Sequence, residues 1–511
     1  MLEPLQVNES NPPLLLLQTT VLTMGRSICI GGIIALALAM STKGSESLPE
    51  MIEFFESVSA ETFEQGRLAK IVQYGLMLLR IRDSVFRAEG LRQGLQDYFT
   101  PKDTALFAPA LHTHLMSSGT RVAVTAAKDL GGKTDCLITS YNHPSSSDEA
   151  DCKSSTYVLE REEDVDKDMK IWEAGMATSA APYYLPPFKK PESETTYIDG
   201  AVWANCPAQV AYAEMEKLWP TSGTAPLDYM VSLGTGIQDA KSVEMPSLVN
   251  TRLLVTFRTI FQRQLDSKST WSHFVSETAP PHIRPRLHRF NPPLEVAAGD
   301  EQVKLYNYKL ISELRGRVDE WTSTTAKEDV ALVANELIAS LFFFEPDNSN
   351  RVSDNRVDSL LSDKRNVDVL HGSIRCRLGH QTPQLLQLLE MVEGFAFAQL
   401  DGAVCGSVNV VEAARRLPAG LWEPVRMMIR DGANFREVPP INMIQVVDET
   451  VGGHAAVPKF RVPYSFSVRR GSTGPLVLGV KLHRCKSRIA ISGFPATMAD
   501  LKRRASEVWL Q

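Results

Sequence analysis

The sequence predicts an α/β fold followed by a helical extension and a β-rich carboxyl-terminal domain. Over about the first 240 residues, β-branched and apolar runs typical of strands alternate with apolar residues at helical spacing. From there to Phe344 the helical spacing dominates. After a polar stretch, short strand patterns return. The 511 residues suffice for two or three domains.

The first elements predicted are a strand, a tight turn and a helix. Leu14 to Met24 contains the strand-like run Thr19 to Thr23, and Gly31-Gly32 follows. Ile33 to Met40 is apolar on every side, which indicates a helix enclosed by other elements.

Further elements alternate along the α/β region. The residues from Pro49 to about Tyr98 have helical spacing. The other predicted elements are strands at Arg121 to Ala126 and Cys136 to Tyr141, joined by a turn at Gly131-Gly132, a helix from Trp172 to Ala181, and a strand at Asp228 to Leu233 that ends at Gly234.

The chain divides into five parts on these patterns: a tail at 1–10, the α/β domain at 11–240, the helical extension at 241–345, a linker at 346–370 and the β-rich domain at 371–511. The polar and charged residues from Glu345 to Lys364 indicate the linker. The strands predicted beyond it are Ser373 to Leu378, Tyr464 to Val468, Leu476 to Leu482 and Arg488 to Ile491.

Composition excludes several classes of protein. With 43% apolar and 22% charged residues the chain is typical of globular proteins. The 54 Lys and Arg against 60 Asp and Glu give a net charge of −6, so nothing favours a nucleic-acid partner. Seven scattered cysteines with no Cys-x-x-Cys pattern predict a reducing, cytoplasmic environment.

The apolar amino-terminal region is predicted to be buried in the domain. Met1 to Ser10 carries Glu3 and Glu9 and no basic residue, unlike a secretory signal. Arg26 divides the apolar residues into two pieces, each shorter than the roughly 20 residues of a membrane-spanning helix.

One set of motifs indicates a family. Tyr197-Ile198-Asp199-Gly200-Ala201 is preceded by Ala177 to Pro182 and followed by Asn205 to Ala208, Trp219-Pro220 and Val231 to Gly236. In this order and spacing they resemble the carboxyl-terminal half of the patatin-like phospholipase domain, a family of lipid acyl hydrolases. The resemblance covers about residues 25–240, and Phe290 to Pro292 and Ile491 to Pro495 resemble extensions of long fungal members. It implies a three-layer domain with a mostly parallel sheet.

The resemblance implies that Asp199 is the catalytic base, at a tight turn made by Gly200. Asp-Gly-Ala recurs at Asp401 and Asp431, but without the neighbouring motifs. The alternative for Asp199 is a turn aspartate that caps the helix starting near Pro207.

The family's nucleophile is the serine of a Gly-x-Ser-x-Gly elbow, a strained turn between a strand and a helix. Aligning Gly31-Gly32 with the family's glycine pair puts Cys29 at the nucleophile and Ser27 at the first glycine. A second register makes Ser27 the nucleophile, between Gly25 and Cys29. Cys29 suits an aspartate partner poorly, because a carboxylate disfavours the thiolate.

The family also has a Gly-rich loop upstream of the elbow that stabilises the oxyanion. None of the 24 residues before Gly25 is glycine. We therefore expect an amino-terminally incomplete domain, without its first strand and this loop, and weak or absent turnover.

The family implies hydrolysis of a carboxylic ester in a phospholipid or acylglycerol, without a metal or cofactor, at a membrane or lipid-droplet surface. Two alternatives remain open. The chain is a non-catalytic lipid-binding or interaction protein with the same fold, or it is an incomplete product of a gene for an active hydrolase.

Three other groups of polar residues are not expected to form sites. His112 and His114 lack further metal ligands nearby. The acidic run Glu160 to Asp168 lacks the ligand spacing of a calcium loop and is expected to be solvated. The third group is basic and consists of Arg284, Arg286, His288 and Arg289. We expect these residues to form a solvated face rather than a site for anionic lipid headgroups.

Overall fold

A computed structural model describes the protein in segments. The described residues are 15–17, 30–40, 48–64, 84–101, 103–107, 121–129, 133–143, 156–161, 167–182, 184–193, 195–218, 227–236, 267–293, 310–346, 367–378, 383–399, 423–425, 428–431, 434–437, 460–469, 471, 473–483, 485 and 487–507.

A mixed six-stranded sheet forms the centre of the amino-terminal domain. Its order is β4–β3–β2–β6–β5, and β1 also lies beside β2. The strands are β1 (Leu15–Leu17), β2 (Arg121–Asp129), β3 (Lys133–Thr139), β4 (Val158–Glu160), β5 (Phe188–Lys189) and β6 (Thr196–Asp199). The pairs β1–β2 and β3–β4 are parallel, whereas β2–β3, β2–β6 and β5–β6 are antiparallel. The α/β class is confirmed. Among the described strand pairs, however, two are parallel and three are antiparallel, so this sheet is mixed rather than mostly parallel.

Helices cover both faces of this sheet. They are α1 (Ile30–Met40), α2 (Leu48–Phe63), α3 (Glu89–Tyr98), α4 (Ile171–Ser179), α5 (Ala201–Ala204) and α6 (Ala208–Leu218). Val122, Val124 and Ala126 of β2 pack in one core with residues of α1 to α4. Ala123 faces the other way and packs with Leu218 of α6. The alternation of side chains along a strand thus gives the three layers.

A second, smaller sheet contains β7 (Met230–Leu233) and β8 (Leu287–Phe290), which pair in parallel. Between them the structure describes α7 (Ser267–His273), a π-helical turn (Phe274–Thr278) and a 3₁₀ turn (Arg284–Arg286). We call β7 and β8 the ribbon. Phe274 and Ile283 are buried with Cys206 and Tyr212, so this region packs on the α/β domain.

Two helices follow the ribbon but contribute to different cores. In α8 (Ile311–Ser323), Ile311 packs in the core of the amino-terminal domain. In α9 (Lys327–Ser340), Ala339 packs in the core of the carboxyl-terminal domain. The boundary between the two cores therefore falls in the turn between α8 and α9.

The carboxyl-terminal domain is β-rich. Its strands are β9 (Phe342–Pro346), β10 (Val367–Cys376), β11 (Val392–Gln399), β12 (Glu423–Val425), β13 (Met428–Asp431), β14 (Asn434–Glu437), β15 (Arg461–Arg469), β16 (Leu476–Leu482) and β17 (Ile489–Ala490). They form the sheets β15–β10–β9 and β12–β11–β16–β17 and the hairpin β13–β14. In this domain the structure also describes the helices α10 (Pro383–Glu390) and α11 (Met498–Glu507).

The helical pattern predicted as far as Phe344 ends earlier. The helix α9 stops at Ser340, and Phe342 begins strand β9. Consecutive apolar residues do not distinguish helix from strand by periodicity. Here the backbone pairing of β9 with β10 stabilises the strand rather than a helix.

No helix in the described segments has both the length and the apolar character needed to span a bilayer.

Candidate active site

The start of α1 lies against α4 at a point of very close approach. A Cβ atom on Gly32 would lie 2.6 Å from Cγ2 and 2.7 Å from Oγ1 of Thr178. These distances are shorter than any normal contact, so residue 32 must be glycine for the two helices to pack in this way. Gly31 is also buried in α1. The predicted nucleophile positions, Cys29 and Ser27, precede Ile30 in the sequence and lie outside the described residues.

Thr178 links α4 to the central strand. It is fully buried, and its Oγ1 donates a hydrogen bond of 2.8 Å to the carbonyl oxygen of Thr125 on β2. A buried hydroxyl needs such a partner, because leaving it unpaired costs about 1 to 3 kcal/mol. The first turn of α1 therefore lies one side chain away from the backbone of β2.

Asp199 ends β6, the strand beside β2. It lies opposite Ala126 of β2, and its N–H donates a 3.0 Å hydrogen bond to the carbonyl of Ala180, just after α4. Only 2% of Asp199 is exposed. Its Oδ1 accepts a hydrogen bond of 2.7 Å from the N–H of Ala201, the first residue of α5.

Gly200 allows the turn after Asp199 to press against β2. A Cβ on Gly200 would lie 2.2 Å from Oγ1 and 2.4 Å from the carbonyl carbon of Thr125. A side chain would therefore move Asp199 away from the sheet. The structure thus brings Gly32, Thr178, Thr125 and Gly200 into one chain of contacts, with Asp199 at its end.

Asp199 contacts the start of a helix, but not of the helix that was predicted. Asp199 supports the start of α5 at Ala201, whereas the prediction placed the capped helix near Pro207. The short α5 separates the two positions. Its Trp203 donates a 2.9 Å hydrogen bond from Nε1 to the carbonyl of Ala126, which fixes the helix to β2 beside the aspartate.

A buried carboxylate next to this site was not predicted. Glu214 of α6 is completely buried and accepts hydrogen bonds from Tyr141 at 2.8 Å and Tyr157 at 2.6 Å. Nε2 of His143 lies 2.9 Å from its Oε2. The ring of Tyr157 stacks on Trp203, so the network reaches α5. The sequence signal was weak, because Glu214 stands among other charged residues of α6.

The described cysteines of the central sheet supply no nucleophile. Cys136 of β3 is fully buried, and burial, followed by the charge of Glu160, raises the pKa of its thiol to about 12. A thiol with this pKa remains protonated at neutral pH and does not attack an ester.

The acidic run is not a solvated loop at either end, which corrects that prediction. Glu160 is buried, accepts a 2.5 Å hydrogen bond from Tyr197 and pairs with Lys128. Asp168 is buried and forms an ion pair of 2.6 Å with Arg161. The carboxylates at both ends thus satisfy buried partners, which spacing along the sequence does not reveal. Residues 162–166, His112 and His114 lie outside the described residues.

The basic group at 284–289 is also not a solvated face. Arg284 donates to the carbonyl oxygens of Ala279 and Ser276, at 3.0 and 2.6 Å. Arg289 donates to Oγ of Ser232 at 2.7 Å and Ser267 at 3.0 Å. The guanidinium groups satisfy backbone and hydroxyl groups around β8.

Arg286 and His288 form contacts towards the carboxyl-terminal domain. Arg286 donates to the carbonyl oxygen of Leu227 and, at 3.2 Å, to that of Phe494. Nε2 of His288 lies 3.0 Å from Oε2 of Glu336. The prediction of a solvated face is therefore wrong for these two residues as well.

The glycines after β7 are held by a residue of the extension. The N–H of Gly236 donates a 2.8 Å hydrogen bond to Oδ1 of Asn291. A Cβ on Gly234 would lie 2.2 Å from the same oxygen. Gly236 has φ of 93°, in the region that favours glycine. The segments Val231 to Gly236 and Phe290 to Pro292, noted separately in the sequence, thus meet in the structure.

Comparison with known proteins agrees with this arrangement. Residues 28–212 match the family model described as "Patatin-like phospholipase". A stretch of 67 residues is 40% identical to "Phospholipase A I" of Arabidopsis thaliana, covering 13% of this chain and 5% of that protein. Another of 93 residues is 39% identical to "Patatin-like protein 4" of the same plant, covering 16% of this chain and 23% of that protein. The chain thus spans less than a quarter of either relative.

The resemblance found in the sequence is therefore confirmed over residues 28–212, which match the patatin-like phospholipase model. The carboxyl-terminal part is similar to a second family model, over residues 369–506, whose description is "Domain of unknown function (DUF8392)".

Proposed function

We propose that the amino-terminal domain is a lipid acyl hydrolase domain with low intrinsic turnover. Its substrate class is the carboxylic ester of a phospholipid or acylglycerol, presented at a membrane or lipid-droplet surface. Asp199 is the base, and the nucleophile stands at the elbow before α1, at Cys29 or Ser27. The match of residues 28–212 to the patatin-like family supports the reaction class.

The observation that carries the proposal is the chain of close contacts around Thr125. Gly32 packs against Thr178, whose hydroxyl binds Thr125, and Gly200 packs against Thr125. These contacts connect the first turn of α1 to the turn that contains Asp199. Because the first turn of α1 and the turn of Asp199 share this chain of contacts, we infer that a nucleophile preceding α1 gives its proton to Asp199, a transfer that requires hydrogen-bond reach.

Low turnover follows from the chemistry of the elbow. A serine gives its proton to the carboxylate as it attacks, and no second full charge forms beside Asp199 beforehand. A cysteine attacks as thiolate, and an adjacent carboxylate opposes that charge. Cysteine enzymes generally use a histidine that becomes cationic. Cys29 with Asp199 lacks this compensation.

A second function, non-catalytic lipid binding, is supported by the structural use of Asp199. Its Oδ1 accepts the N–H of Ala201 at the start of α5. The carboxylate thus stabilises the fold even if no reaction occurs. A protein that has this fold but no turnover would still bind a lipid surface.

Hydrolysis of a chromogenic short-chain ester and of phospholipid vesicles by the purified full-length protein tests both proposals. We expect weak or absent turnover from the natural sequence. Cys29→Ser should raise it if Cys29 occupies the elbow, and adding Asp199→Asn should lower the gained rate by about 10²- to 10⁴-fold. Asp97→Asn, an exposed aspartate of α3, is the matched control.

Three outcomes distinguish the two proposed functions. Ready hydrolysis by the natural sequence that Asp199→Asn abolishes, and that Cys29→Ala or Ser27→Ala also abolishes, would contradict low turnover. Vesicle co-sedimentation that Asp199→Asn leaves unchanged, with no hydrolysis by any variant, would favour lipid binding alone. Neither hydrolysis nor vesicle binding would reject both functions.

A further inference from the structure

The carboxyl-terminal domain contacts a partly buried carboxylate next to the ribbon. Asp228 lies two residues before β7, and 16% of its side chain is exposed. Its Oδ2 accepts hydrogen bonds from Oγ of Ser492 at 2.6 Å and Nη2 of Arg377 at 3.2 Å. Its Oδ1 accepts the N–H of Gly493 at 3.1 Å. Three donors from the other domain thus meet one aspartate.

These donors are fixed within their own domain. The N–H of Ser492 donates a 2.9 Å hydrogen bond to the carbonyl of Phe342, which begins β9. Nη2 of Arg377 also donates to Oγ of Ser492 at 2.7 Å. Gly493 has φ of 78°, a conformation that turns its N–H towards Asp228 at little cost for glycine. The donor set is therefore preorganised for a carboxylate, which lowers the entropic cost of docking.

Two further contacts, one just before β8 and one on it, join this region to the carboxyl-terminal domain. Arg286 connects the carbonyls of Leu227 and Phe494, one from each domain. On β8, His288 lies 3.0 Å from the completely buried Glu336 of α9. The ribbon thus presents charged groups to several elements of the carboxyl-terminal domain.

We propose that the carboxyl-terminal domain is an intramolecular partner that holds the ribbon, with Asp228 as the central anchor. This assigns a role to the domain of unknown function: it docks on Asp228 before β7, and on Arg286 and His288 at the start of β8. The contact also holds β7 at its amino end, whereas Asn291 holds Gly234 to Gly236 at the other end. The role is independent of whether the amino-terminal domain hydrolyses an ester.

A protease site inserted in the full-length protein between Thr324 and Thr325 tests this docking. The site lies in the turn between α8 and α9, where the two cores separate. After cleavage, the pieces should remain together on size-exclusion chromatography at micromolar concentration. Asp228→Ala should weaken their association by about 10- to 100-fold, since a hydrogen bond to a charged group contributes about 1.5 to 3 kcal/mol.

Asp97→Ala is the matched control, because Asp97 is an exposed aspartate of α3 whose carboxylate accepts a local hydrogen bond from Gln93. It should leave the association unchanged. Separation of the parent pieces, or equal effects of Asp228→Ala and Asp97→Ala, would overturn the proposal.

A second set of variants covers the case in which Asp228→Ala fails to fold. Ser492→Ala and Arg377→Met remove donors from the opposite side and should also weaken association. In a double-mutant cycle, Asp228→Ala with Ser492→Ala should lose less than the sum of the two single effects, because both remove the same contact. Strictly additive effects would show that Asp228 and Ser492 do not interact and would reject the anchor.

Discussion

Glu214 shows how one buried carboxylate is kept charged. Burial acts to raise its pKa, but hydrogen bonds from His143, Tyr157 and Tyr141 outweigh burial and lower the pKa of Glu214 to about 2. The same contacts raise the pKa of Tyr157 and of Tyr141, after burial as the larger cause. The network therefore contributes most to stability when Glu214 is ionised and the tyrosines are protonated.

This gives a prediction for pH dependence. A lowered pKa stabilises the fold above the unfolded value near 4.5 and loses that effect as pH falls towards about 2. Glu214→Gln should therefore destabilise the protein at pH 7 by about 2 to 3 kcal/mol, and the difference from the natural sequence should shrink between pH 5 and pH 2.

Urea unfolding at pH 7, 5, 4 and 3 measures this difference. Glu53→Gln, at an exposed position of α2, is the matched control. A difference that stays constant from pH 7 to pH 3 would contradict the role given to the ionised carboxylate.

Among single residues, the sequence indicates the groups that stand in motifs and does not indicate those defined by packing. Asp199 and Gly200 were identified from their neighbours along the chain. Glu214 was missed because its partners, Tyr141 and Tyr157, are 73 and 57 residues away. Arg286 was misassigned for the same reason, since its partner Phe494 is 208 residues distant.

At the scale of elements, α1 depends on burial all round. Ile33, Leu36 and Ala37 are almost inaccessible to solvent, whereas Leu38 is partly buried. A helix that is apolar on every side is stable only when it is enclosed. This is why the composition of residues 33–40 sufficed to predict it.

Leu36→Ala should therefore destabilise the amino-terminal domain by about 2 to 5 kcal/mol, because it leaves a cavity between α1 and the sheet. Leu38→Ala removes the same atoms from a less enclosed position, so it should lower the free energy of unfolding by less. Denaturant unfolding of the two variants measures both, and equal losses would contradict the burial of α1 described above.

Strand prediction succeeded where a strand is apolar on both faces. It failed where contacts with residues distant in the sequence determine that a segment forms a strand. Leu476 to Leu482 was predicted and observed with the same ends, since most of its residues are apolar and Gly474-Pro475 marks its start. Phe342 to Phe344 was assigned to a helix. In the structure, Phe342 packs edge to face on Phe395 and Phe460, with ring centres 5.1 and 5.7 Å away. Those partners follow Phe342 by more than 50 residues, so no local pattern could indicate them.

At the scale of the whole molecule, the carboxyl-terminal core includes elements from both sides of the predicted linker. The strand β9 pairs with β10, and α9 packs in the same core, although both precede residue 347. The family model for this region starts later, at residue 369.

Two fragments test this composition of the domain. Residues 326–511 should be soluble and unfold in one cooperative transition. Residues 369–511 lack β9 and α9, which exposes the edge of β10 and the apolar surface around Phe395, so we expect aggregation. Calorimetry and light scattering measure both, and a folded, monomeric 369–511 fragment would show that β9 and α9 are dispensable.

The position of β9 also limits how such a gene could be rearranged. An exon junction or recombination point in the codons for residues 347–366 would look harmless from the polar sequence, yet it would transfer a sheet without its edge strand. The shortest gene segment that encodes the whole domain therefore starts in the turn before Lys327. Natural fusion proteins that contain this domain should begin their shared segment there.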